Sequence, residues 1–571
     1  MDRSSNTDAT NFFTAMNAET HKLVEMFGGQ VGEQYLDNLN SAWSQLLSRP
    51  TDPQGWVEAI NEYQRSSLQF WSTLLTGSDA AATNRDSRFK ADEWSENPVF
   101  NYIKESYLIA SKLLNKAVEN VNLDDKSQKK LEFFTQQYID AMSPSNFAAT
   151  NPEVLQQAVE TKGQSLISGL QNLLGDLDKG RITMTDEEAF VLGENVATTE
   201  GQVVYENELF QLIQYTPTQE KVAERPLLIV PPCINKFYIM DLQPGNSFAK
   251  YNVDQGNNTF MVSWVNATPE QSHLNWDDYI ESGVLEALEV VKKITGSKKV
   301  NTAGWCIGGT ILSTALAVLT ERKDNTVSSA TFLTTMTDFE EPGDIGVFLG
   351  DDEVGSLLQK VEQEGVLNGK NLATAFNMLR SNDLIWSYVV NNYLKGQNPV
   401  PFDLLYWNSD PTNLPADFYS FYIRNMYLEN NLSKPGGVTI CNTPIDLAKI
   451  KTPSYFLSCI EDHIAPWKST YKGTEMLKNC EFVLGASGHI AGVINPASRN
   501  RRHFWINGEL GGTPDQWLDS AEKQEGSWWS HWSAWLKKRA GKQIEAPKEL
   551  GSKDHAPIEP APGRYVAVRI D

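Results

Sequence analysis

The stretch Asn301–Thr310, NTAGWCIGGT, decides the reading of this chain. KKVNTAG before the cysteine reads as a short strand and GGTILSTALAVLT after it as a helix, so Cys306 stands at the junction. It does so in a G-x-C-x-G frame running from Gly304 to Gly308. With 38 glycines and five cysteines in 571 residues, roughly 0.02 such frames are expected by chance. A strand that turns sharply into a helix at a strained residue presents that side chain as a nucleophile, and glycines on either side let strand and helix approach closely. Gly304, Gly308 and Gly309 supply that clearance. The helix start also favours a thiolate through its dipole. The competing reading is a buried structural thiol.

Outward from Cys306 the rhythm is that of a parallel sheet with crossover helices. RPLLIVPP ends a strand near Val230, TFMVSW (Thr259–Trp264) is another, and DDYIESGVLEALEVVKKITG (Asp277–Gly296) is a long amphipathic helix. SSATFLTTMTDF (Ser328–Phe339) follows the nucleophile helix as the next strand. Alternation lapses over 340–443 into an aromatic-rich helical stretch, where a cap over the site would lie, and resumes with PSYFLSCIEDH and CEFVLGASGH. Residues from Ala540 are expected to be irregular until GRYVAVRI (Gly563–Ile570). The expected architecture is an α/β-hydrolase fold, residues 183–571, with a helical cap insertion at about 340–443.

In that fold the acid and the base follow the nucleophile at the ends of later strands. Asp462 lies at the tip of IEDHIAPW, with a helix cap as its structural alternative. Strand alternation disfavours its neighbour Glu461. Of seven histidines, His21, His273, His531 and His555 lie outside any expected strand-end turn, leaving His463, His489 and His503. His489 follows EFVLGASGH in a glycine-containing turn and is the candidate base. His463 is too close in sequence to Asp462 to be oriented by it, and His503 falls in a basic stretch with no strand before it. Acyl transfer further needs oxyanion donors, for which the backbone N–H groups of Ile307 and of Ile234, in the loop PPCIN, are the candidates. Cys233 lies in that loop as a neighbour.

Composition excludes other classes. A formal charge of −23 disfavours a nucleic-acid binder and requires any site for an anionic substrate to gather its basic residues locally. Cysteines 233, 306, 441, 459 and 480 form no CxxC pair, which argues against a disulfide framework or a cysteine zinc site and for a reducing compartment. The start MDRSSNTDATNFFTAMNAETHK has no uninterrupted apolar run of the signal-peptide kind, and no transmembrane segment is expected. Neither a P-loop, a dinucleotide fingerprint nor HExxH is present, which leaves few cofactor options open, and no metal site is expected.

The first third reads as helical, residues 1–182, from three- and four-residue spacing in VFNYIKESYLIASKLL and LEFFTQQYIDAM. TGSDAAATNRDSR (Thr76–Arg88) sets off a leader, about 1–90, expected to be mobile. Trp43, Trp56 and Trp71 in it could either anchor a partner or pack on the main body.

Several long motifs together resemble one family, the polyhydroxyalkanoate synthases, in particular the single-subunit class I kind. GWCIGGT is similar to that family's lipase-like box with cysteine for serine, and EDHIAPW and GASGHIAGVINP resemble its acid and histidine motifs. PPCINKFYIMDLQPGNS, FDLLYWNSDPTNLP and FTQQYIDAMSPSNFAATNPEVL are similar to family stretches too. The resemblance implies an enzyme that polymerises (R)-3-hydroxyacyl-CoA into polyester with release of CoA, without a cofactor. It implies that Cys306 carries the chain as a thioester, His489 generates the thiolate and Asp462 helps deprotonate the attacking 3-hydroxyl. It also implies a homodimer, a cytoplasmic location on polymer granules and a substrate-gating cap. His463, Arg424 and Arg499, the last in the cluster Arg499–Arg502, are candidate substrate contacts, the arginines for CoA phosphates; ordinary surface ion pairs are the alternative. The rival readings are a cysteine-nucleophile ester or thioester hydrolase and a non-catalytic granule-surface protein.

Overall fold

The computed structural model describes residues 53–76 and 86–570. It divides into two compact units, one of the described residues up to Asp186 with Thr374–Val400, the other of Glu187–Ala373 with the described residues from Pro401. The insertion at 340–443 is therefore not one body.

The first unit is helical. Pro53–Thr76, Pro98–Glu119, Asp125–Ala141, Pro152–Glu160 and Gln164–Lys179 form its long elements. Their starts are set locally: Asn97 accepts from the Val99 N–H with Pro98 next to it, and Asp124 accepts from the Ser127 N–H, each satisfying a donor that the first turn leaves free. Within this unit Tyr393 donates to Asp176 at 2.7 Å and Asn392 to the Thr183 carbonyl at 2.8 Å. Trp71 is exposed, with its ring 5.5 Å from that of Tyr102. Trp43 and the Trp56 side chain, like the rest of the leader at 1–52, lie outside the described residues.

The second unit is built on an eleven-stranded sheet. Its strands in chain order are β1 (Gly201–Glu206), β2 (Phe210–Tyr215), β3 (Leu227–Val230), β4 (Thr259–Trp264), β5 (Val300–Trp305), β6 (Val327–Leu333), β7 (Ser454–Cys459), β8 (Cys480–Gly485), β9 (His503–Ile506), β10 (Glu522–Glu525) and β11 (Glu559–Pro560). Across the sheet the order is β10-β9-β8-β7-β6-β5-β3-β4-β2-β1-β11. The run from β4 to β8 is parallel, and the strands beyond it on both sides pair antiparallel. Central strands such as β3 and β5 are buried along their whole length, as strands covered on both faces must be. Leu228 and Val230 enter one apolar layer, while Leu227 and Ile229 enter the other. The first layer holds the helices α1 (Glu286–Thr295) and α2 (Ile307–Glu321); the second holds α3 (Trp528–Lys537) with its four tryptophans. Helix α2 is buried on every face from Ile307 to Leu319, so it forms the centre of its layer.

Strand β4 lies on one side of β3 and β5 on the other, so the chain reverses its direction of progress at β3. A crevice at the carboxyl ends of strands opens at such a switch point. The loop after β3 and the turn after β5 both end there.

Four sequence expectations are corrected or refined. The two antiparallel strands β1 and β2 precede the parallel run, in a region where only parallel alternation was read. His503 does not sit in an irregular basic stretch; it begins β9, paired with β8 and β10. GRYVAVRI forms turns, and the residues that pair with β1 are Glu559 and Pro560 just before it. The helix read at Asp277–Gly296 is wound more loosely over Tyr279–Leu285 before α1, ending on Gly296 at φ 67°.

Candidate active site

Cys306 adopts φ 52° and ψ −125°, a conformation costly for any residue with a Cβ. Its N–H is held by the Leu333 carbonyl at 2.9 Å, and its own carbonyl accepts from Gly309 and Thr310 at 2.9 and 3.1 Å. Those bonds lock the turn from β5 into α2. The close approach needs glycine at two points. A Cβ on Gly304 would lie 2.6 Å from the Gly309 Cα, and one on Gly308 would lie 2.4 Å from the Val230 carbonyl oxygen and 2.5 Å from that of Pro231. These obstacles are backbone and do not swing aside. Gly308→Ala is expected to cost about 1–3 kcal/mol in chemical denaturation. Turnover should fall further than stability, because the loop forced to move carries a candidate oxyanion donor.

Asp462 follows β7 and His489 follows β8, strands that run side by side in parallel register from Ser454 opposite Cys480. That register carries the two side chains to the same end of the sheet. His489 Nδ1 is 2.7 Å from Asp462 Oδ2, with both side chains buried. Asp462 Oδ1 accepts from the N–H groups of Ile464 and Ala465, each at 2.9 Å. Asp462 thus closes the turn after β7 and pairs with His489 at the same time, while the next helix, from Trp467, has Pro466 and not Asp462 at its cap position. Cys306 lies within electrostatic reach of His489. Burial alone would favour the neutral imidazole, but the charges of Asp462 and Cys306 outweigh it and push the His489 pKa up to about 10.

The Ile307 and Ile234 N–H groups donate to no backbone carbonyl among the described turns and loops. Ile307 heads α2, whose first N–H groups have no partner within the helix. Ile234 follows β3, with its carbonyl engaged by Thr412 N–H at 2.8 Å. Cys233 is buried beside it, and burial pushes its thiol up, with Cys306 adding to the effect.

Sequence reasoning placed an aromatic-rich cap here but did not single out the residues of its wall. Tyr422 and Tyr427 lie within electrostatic reach of Cys306, and burial first, then that charge among others, raises both phenols. Their rings are 5.2 Å apart, and Phe339 lies 4.9 Å from Tyr427. Trp276 stacks on Phe418 at 5.0 Å and on Tyr422 at 5.5 Å, and Tyr279 stacks on Phe418 at 4.1 Å, which fastens this part of the insertion down. The only available signal was the aromatic density of DFYSFYIRNMY, which says nothing of which ring faces the sulfur.

The remaining candidates are spread. His463 is partly buried beside Asp462, its carbonyl accepting from Asp344 N–H at 3.0 Å. Arg424 and Arg499 are exposed, and neither forms an ion pair among the described residues. Arg502 donates to the Ala491 carbonyl in the loop that carries His489. Among the described residues no group of three or more His, Cys, Asp or Glu could hold a metal ion, and no helix is long and apolar enough to cross a membrane.

This geometry meets its counterparts among known proteins. A family model described as "Poly-beta-hydroxybutyrate polymerase (PhaC) N-terminus" matches residues 85–252, and one described as "alpha/beta hydrolase fold" matches 226–496. The poly(3-hydroxyalkanoate) polymerase subunit PhaC of Cupriavidus necator is 46% identical over 516 residues, covering 89% of this chain and 87% of the relative. The protein of the same name from Rhizobium meliloti is 41% identical over 532 residues, 91% of this chain and 87% of its own length. The poly(3-hydroxyalkanoate) polymerase of Methylorubrum extorquens is 41% identical over 532 residues, 91% of this chain and 88% of its own. Identity of this depth over nearly the whole length, on a cysteine elbow set in an α/β-hydrolase sheet, shows that the chain belongs to the poly(3-hydroxyalkanoate) polymerase (PhaC) family.

Proposed function

We propose that the protein is an acyltransferase that polymerises (R)-3-hydroxyacyl groups from their CoA thioesters into a polyester, releasing CoA. The observation that carries the reading is a cysteine in the elbow conformation, within electrostatic reach of a histidine that is itself paired with a buried aspartate, in a chain whose relatives are named polymerases.

The Cys306 thiolate attacks the thioester carbonyl, and the oxyanion that forms is met by the Ile307 and Ile234 N–H groups. The C–S bond to CoA breaks, and the departing sulfur takes its proton from the His489 imidazolium. The acyl group is now a thioester on Cys306. Exchange between two thioesters is close to isoenergetic, so the acyl group stays activated, whereas serine would hold it as a less reactive oxygen ester. The 3-hydroxyl of a second hydroxyacyl-CoA then attacks the acyl-cysteine, giving its proton to His489. The C–S bond to Cys306 breaks and the cysteine leaves as thiolate. The ester link of the polymer forms on a chain now held as a CoA thioester, which transfers back to Cys306 with release of CoA. The family resemblance assigns that deprotonation partly to Asp462. Both of its oxygens are already engaged, by His489 and by two backbone N–H groups, which favours a role through His489 instead. The reaction draws its energy from the thioester and calls for no cofactor.

His463 beside the acid, and Arg424 and Arg499 with no ion pair among the described residues, are proposed to meet the CoA moiety. The aromatic wall would exclude water from the acyl-cysteine, as a polymerase needs and a hydrolase does not. A homodimer in the cytoplasm, working at the surface of its own polymer granule, completes the proposal. Incubation of the purified protein with 3-hydroxybutyryl-CoA should release CoA, build polymer and leave acyl groups on Cys306. Free 3-hydroxybutyrate without oligomer would overturn this in favour of a hydrolase, and absence of CoA release with any acyl length in favour of a granule-surface protein.

A further inference from the structure

The loop Pro231–Lys236 carries the Ile234 N–H and has no regular secondary structure over most of its length. A donor reserved for the oxyanion cannot be spent on a structural bond, so the loop must be fixed through its carbonyls and side chains. Its carbonyls are held in that way. Trp264 Nε1 donates to the Pro231 carbonyl at 2.9 Å, Thr412 N–H to that of Ile234 at 2.8 Å, and Trp407 Nε1 to that of Lys236 at 2.7 Å. The remaining anchor is the Lys236 side chain, which is buried at 2% exposure.

A buried ammonium is costly unless it is paired and hydrogen-bonded. Lys236 Nζ donates to the Val568 carbonyl, which also accepts from Asn266 Nδ2 at 3.4 Å. Asp410, equally buried, lies within electrostatic reach of Lys236 and accepts from Tyr238 at 2.9 Å. The next residue along from Val568 completes the group: Arg569 Nε is 3.9 Å from Asp410 Oδ2, its Nη1 is 3.4 Å from Glu187, and its guanidinium lies 4.9 Å over the Tyr406 ring. Burial pushes the Asp410 carboxyl up and the Lys236 ammonium down, so each depends on its neighbours to stay charged. Four separate parts of the chain thus converge behind one loop: the strap at Val568–Arg569, the insertion at Tyr406–Thr412, Glu187 and the loop itself.

We propose that Arg569 is a positioning residue, which with Asp410 and Lys236 straps the segment at Val568 onto the Pro231–Lys236 loop and so holds the Ile234 N–H where the oxyanion forms. Without the guanidinium, Lys236 is the remaining cation facing Asp410. The ammonium is drawn from the Val568 carbonyl toward the carboxylate, and the loop backbone follows it. An interaction made only in the transition state is weakened, while the thiolate pair of Cys306 and His489, mounted on β5 and β8, is left as it was.

The inference rests on the acyl-transfer reading above, so wild-type protein is assayed first with 3-hydroxybutyryl-CoA; absence of CoA release there would defeat that reading rather than this one. In the full-length chain, Arg569→Ala is expected to lower kcat about tenfold or more with KM changed less than about twofold. The rate of Cys306 alkylation by iodoacetamide should stay at the wild-type value, and Arg569→Lys should recover most of the turnover. Asp410→Asn, which keeps the buried shape, should show the same split between turnover and alkylation and serves if Arg569→Ala does not fold. Turnover within twofold of wild type would overturn the proposal. So would a fall in turnover matched by an equal fall in alkylation rate, since that marks a general loss of folded protein.

Discussion

Cys306→Ala is expected to abolish CoA release, lowering turnover by at least about 10⁴-fold, because the thiol that carries the acyl chain is gone and the buried Cys233, whose thiol burial pushes up, is a poor substitute. The fold should survive. Alanine keeps the Cβ that the backbone at φ 52° already accommodates, and the thiol is only partly buried, so its loss removes little packing. The denaturation midpoint should move by the equivalent of less than about 1 kcal/mol. Turnover retained in this variant would sink the assignment of the nucleophile. Loss of turnover with loss of the folded state would leave a structural cysteine as the explanation.

Asp462→Asn should reduce kcat about 10³-fold or more while leaving the backbone in place. The amide oxygen can still accept from Ile464 and Ala465, so the turn after β7 is preserved. What changes is the 2.7 Å contact with His489 Nδ1. A carboxylate requires a proton on Nδ1 and leaves Nε2 free to serve Cys306, whereas an amide NH₂ turned toward Nδ1 reverses the tautomer. The sign of the titration follows as well. The Asp462 charge is one of the causes that hold His489 at about 10 against the opposing effect of burial. Removing it must lower the His489 pKa, and the imidazolium that protonates departing CoA is then lost at a lower pH. Following the His489 ring protons by NMR through a pH titration checks this, and an unchanged midpoint would contradict the ion-pair account.

Much of this site was legible because its parts are local. A glycine frame around Cys306, a strand before it and an apolar helix after it lie within about twenty residues, and the elbow is a property of that segment alone. Asp462 and His489 were legible for a related reason. Parallel strands with crossovers all end on the same edge, so a residue just past each strand must arrive at the same place. Antiparallel β1 and β2 were missed because nothing in their short, polar-interrupted runs distinguishes a hairpin from a loop. His503 was misplaced because β9 draws its partners from β8 and β10, not from its own four residues.

The amino-acid order by itself determined the fold class and the chain positions of the proposed nucleophile, acid and base, since those depend on local turn chemistry and on strand succession. Only the tertiary structure decided that Asp462 spends one oxygen on a turn and the other on His489, and that Tyr422 and Tyr427 come within electrostatic reach of Cys306. Only it joined Lys236, Asp410 and Arg569 behind the Ile234 loop. Each of these is a contact between segments far apart in the chain, set by strand register and by what is buried against what, and no short window of sequence contains both partners.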